Sequence, residues 1–397
     1  MNFELLSKLP KSDLHVHLDG SLRIPTLIEL AREQGITLPS YEESGLRELV
    51  FKKHYRDLPD YLAGFSYTCA VLREAEAIER CSFELCEDAI GEGVRYMEVR
   101  FSPQLLSENG GGCVQALKAV ARGCERAAKQ YGAADGLPFE WGIIACSMRN
   151  LARGMSPYFD TLMELLPNMT EKELASVASI AAVRAAVEAR DRHGVPVVGV
   201  DLAGAEDGYR PKYHREAYRE AHQAFMHKTV HAGEAYGPES IYEAITACHA
   251  DRIGHGTFLF SPEKIADAAD IADKDVYIRA LVEHIAARRL TLEVCPTSNL
   301  QTLPVFENDI RKLPLKQMLV SELSVVIATD NRLVSDTTVT RELALVTEGL
   351  ALSPDAVKKL VLAGFKAAFF PKGYVAKREF VKKVAGRLES IYQENGI

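Results

Sequence analysis

Eight short apolar runs, mostly rich in Val, Ile or Leu, recur along the chain and predict buried β-strands. They are Asp13–Gly20, Val94–Pro103, Glu140–Met148, Pro196–Gly204, Lys228–Glu234, Arg252–Gly256, Thr291–Ser298 and Val325–Asn331. Helical periodicity lies between them, in Val114–Gln130, Glu171–Arg192, Tyr213–Phe225, Pro238–Ala250 and Tyr277–Arg288. Alternating strands and helices predict an α/β fold with parallel strands covered by helices. Eight such units favour a closed (β/α)8 TIM barrel over an open sheet.

The stretch between the first two strands is too long for a single crossover helix. Its helical periodicity covers Ile24–Gln34, Asp57–Leu72 and Glu76–Glu92. We therefore expect residues 24–92 to form a helical insertion at the C-terminal mouth of the barrel, where it can act as a lid. After the last strand, closing helices are predicted in Leu343–Leu350, Asp355–Phe365 and Tyr374–Glu394. Gly110–Gly112 is expected to be a flexible turn, and residues 1–397 to form one domain.

Composition and net charge limit the kinds of molecule that the protein is expected to bind. The chain has 397 residues, 47% hydrophobic and 26% charged, with a formal net charge of -8. This charge argues against nucleic acid or an anionic membrane as the main partner. No apolar run reaches the roughly 20 residues that a membrane span needs, and Met1–Ser12 does not resemble a signal peptide. The eight cysteines form no Cys-x-x-Cys pair and are expected to be reduced thiols, so a cytoplasmic location is expected.

The first strand contains the pattern His15-Val16-His17. Side chains two positions apart share a face of a strand, so Asp13, His15, His17 and Asp19 are all expected to point into the barrel. Four buried polar groups on one face carry a large desolvation cost unless something organises them. A metal is the simplest organiser, and neutral imidazole is a good zinc ligand. The alternative is a pair of hydrogen-bonded core histidines.

Three later strands end in an ionisable group, namely His231, His255 and Asp330. The C-terminal ends of barrel strands converge on one site. His15 and His17, with His231 and Asp330, would place three nitrogens and one oxygen around a zinc ion and leave a position for water. Taken singly, each residue can equally be a hydrogen-bonded core group or a helix cap.

The strands that supply these groups carry a family resemblance. The segments concerned run in order: Ser12–Ser21, Tyr96–Pro103, Asp201–Gly204, Thr229–Glu234, Arg252–Gly256, Glu293–Ser298 and Ala328–Arg332. With its His-Ala-Gly-Glu, Gly-His-Gly and Thr-Asp-Asn motifs, the sequence resembles the adenosine deaminase family, within the barrel metal-dependent aminohydrolases. The resemblance implies that one zinc ion per chain is bound by His15, His17, His231 and Asp330.

The resemblance also implies roles in catalysis. Glu234, just beyond the fifth strand, is predicted to be the acid that protonates the purine nitrogen next to the attacked carbon; the alternative is that it only opens the helix near Pro238. His255 is predicted to orient the attacking water and to stabilise developing charge, or else to be a strand-end histidine bonded to a carbonyl. Asp330 joins them as a catalytic residue through the metal.

Substrate recognition draws on further matches. Asp19 resembles the residue that accepts a hydrogen bond from the sugar hydroxyl, and Gly204 the glycine whose amide meets a ring nitrogen. His17 and Asn331 are expected to contact substrate, and an apolar stripe on the inserted helix resembles the lid over the base: Leu58, Tyr61, Leu62 and Phe65. Many family members have an aspartate at the position of Asn331, which here is expected to donate to the purine through its amide.

The predicted reaction is hydrolytic deamination of adenosine or 2′-deoxyadenosine, with the purine nucleoside and water as small-molecule partners. Other aminopurines remain open as substrates: adenine, N6-methyl-AMP and aminodeoxyfutalosine. A nucleotide requires phosphate-binding cations, and the lid region offers Arg23, Lys52, Lys53 and Arg56. Two further alternatives are a two-metal hydrolase, for which the fourth strand lacks the bridging lysine, and a binding protein that has lost activity.

Overall fold

The computed structural model describes residues 1–107, 112–132, 136–265, 271 and 273–397. Its eight strands pair in parallel and in sequence order. They are β1 (Lys11–His17), β2 (Val94–Phe101), β3 (Glu140–Met148), β4 (Val197–Ala203), β5 (His227–Ala232), β6 (Arg252–His255), β7 (Thr291–Val294) and β8 (Ser324–Ile327). The chain just after β8 closes on β1: a bridge joins Val16 and Asp330, and the Asp330 amide donates to the His15 carbonyl at 2.7 Å. The predicted TIM barrel is confirmed.

Helices cover the barrel on the outside. The first group precedes β2: α1 (Phe3–Lys8), α2 (Ile24–Glu33), α3 (Glu43–Leu49), α4 (Leu58–Leu62), α5 (Phe65–Val71) and α6 (Ala75–Gly91). The next lie between β2 and β8: α7 (Gly112–Tyr131), α8 (Pro157–Leu165), α9 (Glu171–His193), α10 (Arg215–Gln223), α11 (Pro238–Thr246), α12 (Lys274–Arg288), α13 (Pro296–Thr302) and α14 (Leu315–Val320). The last close the fold: α15 (Val339–Gly349), α16 (Pro354–Ala367) and α17 (Gly373–Glu394).

The longest helix, α9, shows how local sequence sets these boundaries. Thr170 caps its N-terminus in a reciprocal capping box with Glu173. Gly194 ends it in the left-handed conformation, with φ of 65°. Its buried face is mostly alanine, which lets the helix lie close to the barrel: Ala175, Ala178, Ala182, Ala186 and Ala189.

Between β1 and β2 the structure has five helices, α2 to α6, and their boundaries differ from the prediction. The predicted helix Asp57–Leu72 is two short helices, because α4 ends before Gly64, a residue of low helix propensity, and α5 begins after it. Helix α3 was missed. The run predicted as a strand through Ser298 stops at Val294, since Pro296 begins α13. Gly110 and Gly111 lie outside the described residues.

Two further predictions concern membrane-spanning helices and the state of the cysteines. Within the described ranges, no helix is long and apolar enough to cross a bilayer. All eight cysteines are buried and free, as the absence of paired motifs predicts.

A buried carboxylate on α15 makes stability depend on pH. Glu342 is fully buried and accepts hydrogen bonds from the Thr297 amide at 3.0 Å and the Thr337 hydroxyl at 2.6 Å. Burial raises the pKa of Glu342 to about 7, and these hydrogen bonds offset only part of the effect. Because this pKa lies above that of the unfolded chain, near 4.5, the folded state holds the proton over a wider range. The stabilisation is therefore complete below about pH 4.5 and is lost as the pH rises through about 7.

We expect the variant Glu342→Gln to remove this dependence. Relative to the wild type, its free energy of unfolding should increase by about 2 kcal/mol between about pH 5.5 and about pH 8, because the wild type alone must then bury a charge. Urea unfolding at both pH values measures the change. Glu348→Gln, at an exposed position on the same helix, is the control. A constant difference between variant and wild type would contradict the assignment.

Candidate active site

Four buried side chains converge at the C-terminal end of the barrel. His15 and His17 come from β1, His231 from β5, and Asp330 from the segment that closes β8 onto β1. One ligand atom from each lies within 4.8 Å of the others. Asp330 Oδ1 is 3.6 Å from His15 Nε2 and 3.5 Å from His17 Nε2. The structure therefore brings together the four residues predicted as ligands.

The hydrogen bonds around these histidines fit a metal. His15 Nδ1 is 2.8 Å from Glu293, and His231 Nδ1 is 3.0 Å from Asp201, so each Nδ1 carries a proton and each Nε2 presents a lone pair. Yet the two Nε2 atoms are 3.1 Å apart. Two lone pairs at this distance repel unless a cation lies between them, and zinc ligands in a tetrahedral site are about 3.3 Å apart. The donor set thus suits a zinc ion.

Two backbone features support this convergence. Asp330 has φ of 61° and His255 has φ of 62°, the left-handed region that residues with a side chain rarely adopt. Such strain persists where surrounding structure requires it, typically at functional sites. Gly254 leaves room for the cluster, since a Cβ there would lie 3.2 Å from the His15 ring and 3.1 Å from the His231 backbone.

Asp13 does not share the inward face, contrary to the prediction from alternation. Its carboxylate accepts hydrogen bonds from the Thr329 hydroxyl at 2.6 Å and the Thr329 amide at 3.3 Å. The pairing of β1 with β2 shifts register between Asp13 and Val16, so strict alternation fails there.

A buried charged network beneath the histidines escaped the sequence analysis. Arg100 donates to Asp201 at 3.0 Å and to Glu293 at 2.9 Å, and so joins the two carboxylates that orient His231 and His15. Arg252 donates to Glu293 at 2.7 Å and also pairs with Glu98. The signal was available, because charged residues in the interior of apolar strands must be paired in the fold.

Charge in this network sets the protonation states. Burial alone would raise the pKa of Asp201 and of Glu293, but arginine and histidine neighbours hold both pKa values well below the usual range. Burial also lowers the pKa of His17 well below its usual value. The carboxylates are therefore ionised, and the His17 imidazole is neutral, as a metal ligand requires.

Glu234 and His255 lie beside the cluster as predicted. Both are buried, and Glu234 Oε1 is 3.8 Å from His255 Nε2. On its other side, His255 Nδ1 is 3.0 Å from the side-chain nitrogen of Asn299. An amide donor at Nδ1 leaves the proton of the neutral ring on Nε2, directed towards Glu234.

The loop that carries Glu234 is held by a carboxylate that the sequence analysis did not identify. Glu206 is fully buried and accepts hydrogen bonds from four consecutive backbone amides, residues 233–236, at 2.7–3.0 Å. The Ser240 hydroxyl donates to Glu206 Oε1, the oxygen that also accepts from the Gly233 amide. Glu206 follows Gly204 closely in the β4 loop, so it ties the loop after β4 to the loop after β5.

We expect Glu206→Gln to lower kcat by about 10- to 100-fold while metal content stays the same, because an amide NH2 would face backbone N–H donors and release the Glu234 loop. Turnover assays with metal analysis measure both quantities. Asp207→Asn, at the exposed neighbouring position, is the matched control. An unchanged kcat in Glu206→Gln would show that the loop does not need this carboxylate.

The predicted substrate residues line one cavity of about 500 Å³. Every predicted site residue except His15 lines this cavity, and His15 lies beneath it. The lining residues among them are His17, Asp19, Leu58, Tyr61, Leu62, Phe65, Gly204, His231, Glu234, His255, Asp330 and Asn331. The four lid positions thus share the cavity although they belong to two helices. Gly204 has φ of 96°, and a Cβ there would lie 3.2 Å from Asn150, so a side chain would strain this wall.

Three polar residues in the cavity retain an unpartnered side-chain oxygen among the described residues: Asp19 Oδ1, Asn331 Oδ1 and the Ser102 hydroxyl. Burial raises the pKa of Asp19 to about 7. Asn331 Nδ2 is 2.9 Å from the Tyr61 hydroxyl, which is 2.7 Å from the Ser335 hydroxyl. The predicted amide donor of Asn331 is therefore already used in this arrangement. Because the Tyr61 hydroxyl can donate as well as accept, the Asn331 amide can also take the flipped orientation, in which its nitrogen is free to donate to a ligand.

Comparisons with known proteins identify the family of this chain. The family model described as "Adenosine deaminase" matches residues 10–386. An adenosine deaminase of Mycobacterium sp. (strain JLS) is 34% identical over 374 residues, covering 94% of this chain and 93% of its own length. A probable adenosine deaminase of Dictyostelium discoideum is 32% identical over 399 residues; it covers 100% of this chain, which spans only 45% of that longer protein.

Solved structures share the fold at lower identity. An Arabidopsis N6-mAMP deaminase superposes with a TM-score of 0.73 at 24% identity, covering 96% of this chain and 99% of the other. An adenine deaminase of Arthrobacter aurescens gives a TM-score of 0.70 at 22% identity, with 96% and 99% covered. Given the family match across the chain, this protein belongs to the adenosine deaminase family of metal-dependent hydrolytic deaminases, which act on C–N bonds.

Proposed function

We propose that the protein hydrolyses the exocyclic C–N bond of a 6-aminopurine nucleoside, converting adenosine or 2′-deoxyadenosine to inosine or 2′-deoxyinosine and ammonia. The observation that carries this proposal is that Glu234 shares one cavity with three members of the cluster, His17, His231 and Asp330, while His15 completes the cluster beneath it. The mycobacterial relatives named adenosine deaminase support the choice of substrate. Such a reaction belongs to purine salvage, which we expect in the cytoplasm.

The four ligands suit a single zinc ion per chain. A zinc ion held by these four residues would supply a nucleophile, because zinc lowers the pKa of a bound water molecule to near neutrality. The buried carboxylates Glu293 and Asp201 orient His15 and His231 towards it. The three nitrogens and one oxygen are ligands that zinc accepts readily.

In the proposed mechanism, Glu234 acts on the ring nitrogen next to the attacked carbon, and His255 acts on the attacking water. Glu234 donates a proton to the ring nitrogen as the water oxygen bonds to C6, which relieves negative charge on the ring. His255, with its Nε2 facing Glu234 at 3.8 Å, positions the water and stabilises charge on the oxygen. The C6–N bond then breaks, and ammonia leaves with one of the two water protons. The other proton replaces the one that Glu234 gave to the ring nitrogen, so the glutamate returns to its starting state.

The remaining cavity residues bind the substrate. Asp19 accepts a hydrogen bond from the sugar hydroxyl through its unpartnered oxygen. The Gly204 amide meets a ring nitrogen, and Asn331 contacts the imidazole part of the purine. His17 contacts the substrate from the metal side. Leu58, Tyr61, Leu62 and Phe65 cover the base and exclude water.

The alternatives concern the substrate, the number of metal ions and the presence of activity. Proteins of this fold named adenine deaminase and N6-mAMP deaminase keep free adenine and the nucleotide as alternatives, and aminodeoxyfutalosine also remains one. Among the residues described, the cluster of four is the only group with metal-site geometry, which favours one metal over two. A protein without activity is disfavoured because Glu234 faces the cluster.

The test is ultraviolet-monitored turnover of adenosine by the zinc-loaded protein, with 2′-deoxyadenosine, adenine and N6-methyl-AMP in parallel. We expect conversion of adenosine to inosine with release of ammonia. Adenosine left intact while another aminopurine is deaminated would replace the substrate and keep the chemistry. No turnover of any of them by protein that contains its metal would reject the proposed function.

A further inference from the structure

The cavity continues beyond the metal ligands to two arginines that the proposed reaction does not use, Arg73 and Arg153. Arg73 follows α5, and its Nη1 donates to the Leu105 carbonyl at 2.8 Å. Arg153 belongs to the exposed loop between β3 and α8. Across the described ranges, neither guanidinium forms an ion pair with a carboxylate. Both therefore keep N–H donors and a positive charge for a ligand.

The basic residues that the sequence analysis considered for a phosphate are placed differently. Arg23 pairs with Glu87 and Asp88, and none of the candidates Arg23, Lys52, Lys53 and Arg56 lines the cavity. Lys52 and Arg56 also have carboxylate partners within the lid. The cations available to a substrate are thus Arg73 and Arg153, which sequence alone did not distinguish from other surface arginines.

Contacts place Arg73 on the sugar side of the cavity. Cys69 Sγ is 3.8 Å from Asp19 Oδ2, and Arg73 lies four residues beyond Cys69, with all three lining the cavity. The carbonyl that Arg73 binds belongs to Leu105, and the Leu105 amide closes a turn by donating to the Ser102 carbonyl at 3.1 Å. The wall therefore leads from Asp19 through Cys69 to Arg73.

Ser102 adds a neutral donor at this wall. It is 1% exposed, lines the cavity, and its hydroxyl has no partner among the residues described. A buried hydroxyl without a partner costs free energy unless a ligand or water satisfies it. Two unpaired guanidinium groups and a free hydroxyl together form the donor set that binds phosphate or carboxylate oxygens.

We propose that Arg73, Arg153 and Ser102 form an anion subsite that binds a negatively charged group on the 5′ carbon of the nucleoside. This inference rests on the proposed function, which puts the purine at Glu234 and the sugar hydroxyl at Asp19. The group beyond the sugar then meets Arg73. A phosphate ester and a carboxylate share this chemistry, so adenosine is the minimal substrate and a 5′-anionic derivative the better one.

The subsite is tested with deaminated ligands, because their binding does not depend on turnover. Isothermal titration calorimetry of the zinc-loaded protein compares inosine, inosine 5′-monophosphate and inosine 5′-carboxylate. We expect at least one anionic ligand to bind ten times more tightly than inosine, and the better of the two identifies the anion. Affinities within twofold of one another for all three ligands would overturn the proposal.

Variants assign the effect to the arginines. In Arg73→Gln and Arg153→Gln the ratio of anionic to neutral affinity should fall, and in the double variant it should approach one. Arg153 is exposed, so its substitution tests the subsite even if loss of the Arg73 contact with Leu105 disturbs folding. Arg56→Gln, a lid arginine outside the cavity, should retain the wild-type ratio. A ratio unchanged in the double variant would refute the assignment.

These outcomes separate the subsite from the proposed reaction. Turnover of adenosine without any preference for the anionic ligands overturns the subsite and keeps the reaction. A strong anionic preference without turnover of any aminopurine keeps the subsite and overturns the reaction.

Discussion

Substitution of Glu234 by glutamine is expected to lower kcat by about 10²- to 10⁴-fold, the range that a positioned general acid contributes. Glutamine keeps the shape and can still donate a hydrogen bond to the ring nitrogen, but it cannot transfer a proton. KM should therefore change little while kcat falls. Steady-state kinetics with the preferred aminopurine measure both parameters.

Two controls accompany this variant. Glu234 is not one of the four clustered ligands, so metal content of Glu234→Gln should equal that of the wild type. Glu216→Gln, on the surface helix α10, should leave kcat unchanged. If Glu234→Gln kept wild-type kcat with full metal content, another group would have to supply the proton.

Removal of the metal is expected to lower activity by about 10³-fold or more, since the ion supplies several kcal/mol of stabilisation in the transition state. One equivalent of zinc per chain should restore it after dialysis against a chelator. The wild type should also unfold at a higher temperature with metal than without it, because the 3.1 Å contact between His15 Nε2 and His231 Nε2 is unfavourable without a cation.

A ligand variant separates metal loss from general damage. His17→Ala should bind less zinc and lose activity with it, whereas His222→Gln, at an exposed position on α10, should retain both. Metal analysis and turnover assays on the same preparations give the comparison. Full activity of thoroughly chelated protein would exclude a metal-dependent mechanism.

The sequence was sufficient to predict the barrel and the convergence of the ligands. Strand ends in a barrel meet at one face whatever the details of packing, so His231 and Asp330 could be placed near β1 from the order of strands alone. Alternation was less reliable. It placed His15 and His17 inside, but failed at Asp13, where a change of register breaks the period of two.

What the sequence did not show depends on long-range contacts. Arg100 lies 101 residues from Asp201 and 193 from Glu293, so their pairing requires the closed fold. Glu206 was not identified because four of its five hydrogen-bond partners are backbone amides, which the residue types along the chain do not reveal. Arg73 and Arg153 could not be told from ordinary surface arginines, since lining a cavity is a property of the folded chain.

Closure of the barrel through Asp330 has a consequence for biosynthesis. The first two histidines emerge from the ribosome at the start of translation, but the carboxylate that joins them lies 313 to 315 positions later, as the numbering of His15, His17 and Asp330 shows. Until β8 has formed beside β1, a nascent chain can provide only the three histidines as metal ligands and lacks the Asp330 carboxylate. Under the proposed metal assignment, loading at full affinity therefore requires that the chain has been synthesised at least as far as Asp330, and a chain terminated before that residue would compete poorly for zinc.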